Sequence, residues 1–123
     1  MTINNAELFV AGIWDWGFLD ECFAPTRIRI TDGDGIVERN GYFLLIETKK
    51  KGANIPIGQQ ILFDAFVRQG NHVMIIWGYQ SDDLCDTILL GTSTPYERKA
   101  IDKNDLKTIV RQWFEWANKQ NHR

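Results

Sequence analysis

The clearest pattern in the chain is an apolar run broken once by a turn. Ile36-Val37-Glu38-Arg39 precedes Asn40-Gly41, and Tyr42-Phe43-Leu44-Leu45-Ile46 follows it. Asn-Gly between two β-prone stretches predicts a hairpin closed by a two-residue type I′ turn. That turn sets the register: Arg39 opposite Tyr42, Val37 opposite Leu44, and Asp34 opposite Glu47. The second strand is apolar on both faces, as strands inside a sheet are. Upstream, Arg27 to Asp32 alternates, with Ile28 and Ile30 on the side of Asp32 and Asp34, which predicts a further strand. Gly33 and Gly35 flank Asp34, where a bulge would be easy to form.

Beyond the hairpin the period changes. Pro56 opens a helix, with Gln59, Leu62, Phe63 and Phe66 at i, i+3, i+4 and i+7 on its inward stripe and Gln60 more lateral. Gly70-Asn71 ends it. His72 to Trp77 is a nearly continuous apolar strand, so strand, helix and strand predict a crossover to a parallel neighbour. Gln80 to Asp86 reads as an acidic loop, Thr87 to Leu90 as another strand, and Thr92 to Arg98 as a polar connection. Tyr96, Arg98 and Lys99, in and beside it, could contact a ligand, but nothing in the pattern demands it. Asp102 caps a last helix in which Leu106, Ile109, Val110, Trp113 and Ala117 recur at helical spacing. At the other end, residues 3 to 23 read as a helix broken near Gly12 or Gly17, with Phe18, Leu19 and Cys22 inward. The sum is an α/β domain, a mixed sheet of four or five strands flanked by helices.

Composition narrows the class. The chain has 123 residues, of which 44% are hydrophobic. That suits one domain spanning residues 1–123 with a real core. It holds no apolar run near roughly 18 residues and no basic-then-apolar leader, so no membrane partner is expected. Cys22 and Cys85 show no pairing pattern and suit buried thiols in a reducing cytoplasm. The net charge of −2 gives the chain no overall attraction for a polyanion, but a local basic patch counts for more than the total. Lys49, Lys50 and Lys51 form such a patch, either as a solvated turn or as a grip on phosphate. Trp14 and Trp16 read as packing residues. His72 has no second histidine near it and reads as a strand-edge residue, and His122 lies in the tail. Trp113, Phe114 and Trp116 make the last helix unusually aromatic, fit to cover the sheet or to join two copies in a homodimer.

The candidate chemistry sits at the far end of the hairpin. Residues directly opposite on an antiparallel pair have Cβ atoms roughly 4.5–5.5 Å apart, which brings Asp34 and Glu47 together with Lys49 on their face. Two close carboxylates repel unless a cation lies between them. Mg²⁺ takes one or two carboxylates together with water and phosphate oxygens. The plain alternative is a surface hairpin with a cross-strand salt bridge. A calcium loop at Asp32-Gly33-Asp34-Gly35 is excluded, because Ile36 and Val37 stand where that loop needs an oxygen ligand and a glycine.

Asp34, the hairpin, Glu47-Thr48-Lys49 and then Gly58-Gln59-Gln60 together resemble the PD-(D/E)XK nuclease superfamily. They are similar to its small phage-encoded members and, in spacing, to Holliday-junction resolvases. The likeness covers about residues 26 to 78, and Gly33 stands where the first motif has proline. The resemblance implies a restriction-endonuclease-like core, with Asp34, Glu47 and the Thr48 backbone carbonyl as ligands of Mg²⁺, for which Mn²⁺ can substitute. It also implies Lys49 as the lysine of the reaction and Gln59 as the helix glutamine; the N-terminal helix of such proteins sometimes lends a third acid, for which Asp15, Asp20 and above all Glu21 are candidates, with a solvated helical face as the alternative. The activity implied is a metal-dependent DNA endonuclease, a hydrolase acting on branched DNA. An oligomeric exonuclease of the same fold, or a nucleic-acid- or protein-binding module that does not cut, are the alternatives.

Overall fold

The computed structural model describes residues 17–28, 34–78, 83–92 and 98–123. The chain divides into two compact units, Met1–Asp32 and Gly33–Arg123. In the first, Gly17–Phe23 form a 3-10 helix, not the end of an α-helix. Three residues per turn do not stack positions i and i+4, and Phe18 and Cys22, expected inward, are exposed. The turn that follows contains a cis Ala24-Pro25 bond and is tied by the Thr26 N–H to the Phe23 carbonyl at 2.9 Å. Arg27 and Ile28 are irregular and exposed rather than extended. The expectations for Trp14, Asp15, Trp16, Ile30, Asp32, Tyr96 and the Cys85 thiol lie outside the described residues.

The second unit is an α/β fold built on one five-stranded mixed sheet. Its strands are β1 (Gly35–Arg39), β2 (Tyr42–Lys49), β3 (His72–Gly78), β4 (Leu84–Leu90) and β5 (Lys99–Ala100), in the spatial order β1-β2-β3-β4-β5. The helices are α1 (Ile57–Arg68) and α2 (Lys103–Asn118). The β1–β2 hairpin has the expected register, Arg39 with Tyr42 and Val37 with Leu44. Its turn is the reason: Asn40 and Gly41 have φ of 55° and 82°, the pair of positive values that a type I′ turn requires. β2 and β3 are parallel, with α1 as the connection. β4 and β5 are added antiparallel. β4 begins at Leu84, inside the stretch expected to be an acidic loop.

Alternation along the strands divides the core in two. Leu44, Met74 and Ile76 pack with Trp113 and Ala117 of α2, backed by Leu106, Ile109 and Val110. Val73, Ile75, Trp77 and Ile88 pack with Phe63 of α1, backed by Phe66, Val67 and Leu45. The helices therefore cover opposite faces of the sheet. Phe63 is fully buried, but Leu62 is 39% exposed, so the inward stripe of α1 turns from the expected Leu62 towards Val67. α2 starts with a reciprocal capping box between Asp102 and Asp105, which satisfies two backbone donors at once.

The hairpin turn also receives the end of the chain. The Asn40 side-chain amide donates to the carbonyls of Ala117 and Gln120 at 3.1 and 3.2 Å. Arg123 lies over the Tyr42 ring at 4.1 Å and donates to the carbonyls of Gly41 and Gln69 and to Asn71 Oδ1. Trp113 is buried, as a residue covering the sheet should be. Trp116 meets Tyr42 and His72 edge-on at 5.1 and 4.8 Å, while Phe114 stays exposed.

Candidate functional site

Strand parity decides which side chains meet. β2 alternates, so Leu44 and Ile46 face α2 while Leu45 faces α1. Glu47 and Lys49 have the parity of Leu45 and stand on the α1 side. The Lys49 ammonium donates to Gln59 Oε1 in a short hydrogen bond. Two residues that the sequence placed on different elements are thus in direct contact. Gln59 reaches Lys49 because Pro56 starts α1 one turn before it, at the end of the helix that lies over the β2 terminus.

Glu47 is the most buried charged residue described, with 4% of its surface exposed and Oε1 sealed from solvent. Its neighbour across β2–β3 is the fully buried Ile75. The hairpin ladder runs to Gly35 opposite Ile46, and Asp34 sits in a bend just beyond it. From there its Oδ2 accepts hydrogen bonds from the Thr48 backbone N–H at 2.7 Å and from the Thr48 hydroxyl at 2.8 Å. The Asp34 carboxylate therefore lies against the peptide that joins Glu47 to Thr48. One Asp34 oxygen orders the end of β2, and Oδ1 remains as a hard-oxygen donor at the same place.

Two separate contacts thus lie at the C-terminal end of β2, Asp34 on Thr48 and Lys49 on Gln59, with Glu47 buried between them in sequence. Two carboxylates and a backbone carbonyl are the donor chemistry that suits a hard divalent cation. Among the described residues, no group of three or more His, Cys, Asp or Glu side chains is placed to hold an ion. Asp20 and Glu21 belong to the 3-10 helix of the first unit. Lys50 is exposed at the start of the turn that carries Lys51 and Gly52, and the Ala53 N–H closes that turn on the Lys50 carbonyl at 3.0 Å.

One component was not legible in the sequence. Trp77, the β3 partner of Lys49, donates its Nε1–H to the Ala53 carbonyl at 2.8 Å and so anchors the end of the lysine turn to the sheet. The Arg98 guanidinium covers the Trp77 ring at 3.7 Å and is paired with Asp86 at 2.9 Å. The only sequence signal was Arg98 in a polar connection. Its partners come from two other strands and are visible only in three dimensions. Among the described residues, no helix is long and apolar enough to cross a membrane. No protein-family model matches the chain, and neither a curated protein nor a solved structure is significantly similar to it.

Proposed function

We propose that this protein is a divalent-metal-dependent phosphodiesterase of the PD-(D/E)XK type that cuts DNA as an endonuclease, with branched DNA as the favoured substrate. The observation that carries this reading is the pair of contacts on either side of buried Glu47: Asp34 on Thr48, and Lys49 on Gln59. A surface hairpin with a simple salt bridge would not draw in a helix glutamine or bury its acid.

Asp34, Glu47 and the Thr48 carbonyl would hold Mg²⁺ or Mn²⁺, which supplies concentrated positive charge that draws a phosphate oxygen and acidifies water. Lys49 stabilises the charge that develops on the phosphate in the transition state. Gln59 fixes the direction of the Lys49 ammonium and offers its amide N–H to water or phosphate. Lys50 and Lys51 meet the backbone on either side of the cut. The reading extends to a soluble, cytoplasmic enzyme, with the exposed Phe114 on α2 available for contact between two copies.

The test is incubation of the protein with linear, nicked, single-stranded and four-way-junction DNA in Mg²⁺, Mn²⁺ or EDTA. We expect metal-dependent cutting that falls by about 10²-fold or more in both Glu47→Ala and Lys49→Ala. Cutting that concentrates at ends would favour an exonuclease. No cutting by folded protein would leave a binding module.

A further inference from the structure

The sheet face that carries Glu47 and Lys49 continues sideways into a pocket of about 450 Å³, lined by Asn54, Ile55, Gln60, Trp77, Ile88 and Arg98. Its position is set by the register. Trp77 is paired with Lys49 across β2–β3, and neighbouring strands lie about 4.8 Å apart. Gln60 follows Gln59 in α1. The pocket therefore borders Glu47, Lys49 and Gln59 and is lined by none of them.

The lining has two functional parts. Trp77 is 3% exposed and held by its bond to Ala53, so its ring is a rigid support. The Arg98 guanidinium carbon sits over that ring, 3.7 Å from its centroid, and its Nε donates to Asp86 Oδ2 at 2.9 Å. A guanidinium stacked on one side and pinned through Nε has lost most of its rotational freedom. Its outer face and its Nη groups, which this ion pair does not use, point to planar and anionic ligands. The other part is an apolar wall, Ile55 and Ile88, flanked by two carboxamides. Gln60 uses one amide N–H on the Ile55 carbonyl at 2.9 Å, which leaves its second N–H and its oxygen acceptor. Asn54 offers both a donor and an acceptor. The volume falls at the low end of small-ligand sites, about 300–1,000 Å³. It suits one nucleotide and is too small for a base-paired duplex.

We propose that this pocket is a subsite for a single unstacked nucleotide of the substrate, adjacent to the scissile phosphate. The base lies between the isoleucine wall and the Arg98 plane, its polar edge meets Asn54 and Gln60, and its phosphate takes the Arg98 Nη donors. The assignment rests on the phosphodiesterase reading of the neighbouring site. It gives a physical basis for a preference for branched DNA, in which a nucleotide leaves the stack at low cost.

The test measures binding of thymidine 5′-monophosphate, thymidine and inorganic phosphate to the full chain in EDTA, by calorimetry or chemical-shift titration. The variants are Arg98→Ala, Asn54→Trp and Lys49→Ala. We expect the monophosphate to bind, with thymidine and phosphate each weaker by about tenfold or more, and with a similar loss in Arg98→Ala. Asn54 is exposed, so a tryptophan there blocks the pocket without touching the core, and it decides the question if Arg98→Ala does not fold. Lys49→Ala should change the affinity by less than about threefold, since Lys49 lies outside the pocket. No binding to folded wild type, or binding unchanged in both pocket variants, overturns the proposal. Phosphate binding as tightly as the monophosphate also overturns it, because the site would then recognise an anion alone. The readout needs neither metal nor cleavage. A protein that cuts no DNA but binds the nucleotide through Arg98 removes the nuclease reading and keeps the pocket; an active nuclease with no such binding does the reverse.

Discussion

In the proposed site, Asp34 would serve two purposes with one carboxylate. Oδ2 fixes the Thr48 peptide and hydroxyl, and the negative charge would help to hold the proposed cation. Asp34→Asn separates these purposes, because an amide keeps an oxygen acceptor for Thr48 but carries no charge. The variant should melt within a few degrees of wild type while metal-dependent cleavage falls by about 10²-fold; retained cleavage would remove Asp34 from the site. His72 offers a second test. The Trp113 Nε1–H donates to His72 Nδ1 at 3.3 Å, which requires that nitrogen to be unprotonated, and burial lowers the His72 pKa from its ordinary 6.5. A group whose folded pKa is depressed contributes full stability above the unfolded pKa and loses it as pH falls towards the folded value. Denaturation midpoints should therefore drop as pH falls below about 6.5. His72→Phe should flatten that segment of the profile, and an unchanged slope would assign it to other groups.

At the scale of elements, the hairpin is the most informative unit. Its register was readable because Asn40-Gly41 allows few backbone paths, and the register in turn put Asp34 near the end of β2. Asn40→Ala would put a side chain poorly suited to positive φ at the turn and remove its bonds to the α2 carbonyls. A loss of roughly 2–3 kcal/mol is expected, measurable by chemical denaturation; a loss below about 0.5 kcal/mol would mean that the turn relaxes freely. β3 and α2 were equally legible, one from a continuous apolar run and the other from its cap and its periodicity. β5 was not. Its two residues pair with β4 and are too few to leave a local pattern to read. β4 was expected too late in the chain because Asp86 interrupts its apolar residues, and its charge is accounted for only by Arg98. The same holds for α1: Leu62 fits the helical period, but the sheet beneath places Val67 inward instead. For the candidate site, motif and turn were enough to nominate Asp34, Glu47, Lys49 and Gln59. The contacts of Asp34 with Thr48 and of Lys49 with Gln59 required the fold.

At the scale of the whole second unit, the candidate site and the Arg123 contacts occupy opposite ends of the same strand. The candidate residues lie where β2 ends at Lys49, and Arg123 docks where β2 begins at Tyr42. The run from Gly41 to Thr48 covers about 23 Å at strand rise. The Arg123 backbone N–H is bonded to the Asn40 carbonyl at 3.0 Å, and a methyl group added at Gly41 would meet the Arg123 carbonyl oxygen. Arg123 is therefore a fixed point of the fold. A label attached at this residue would sit at the pole of the second unit remote from Glu47 and Lys49, and would report on that pole without touching the candidate site.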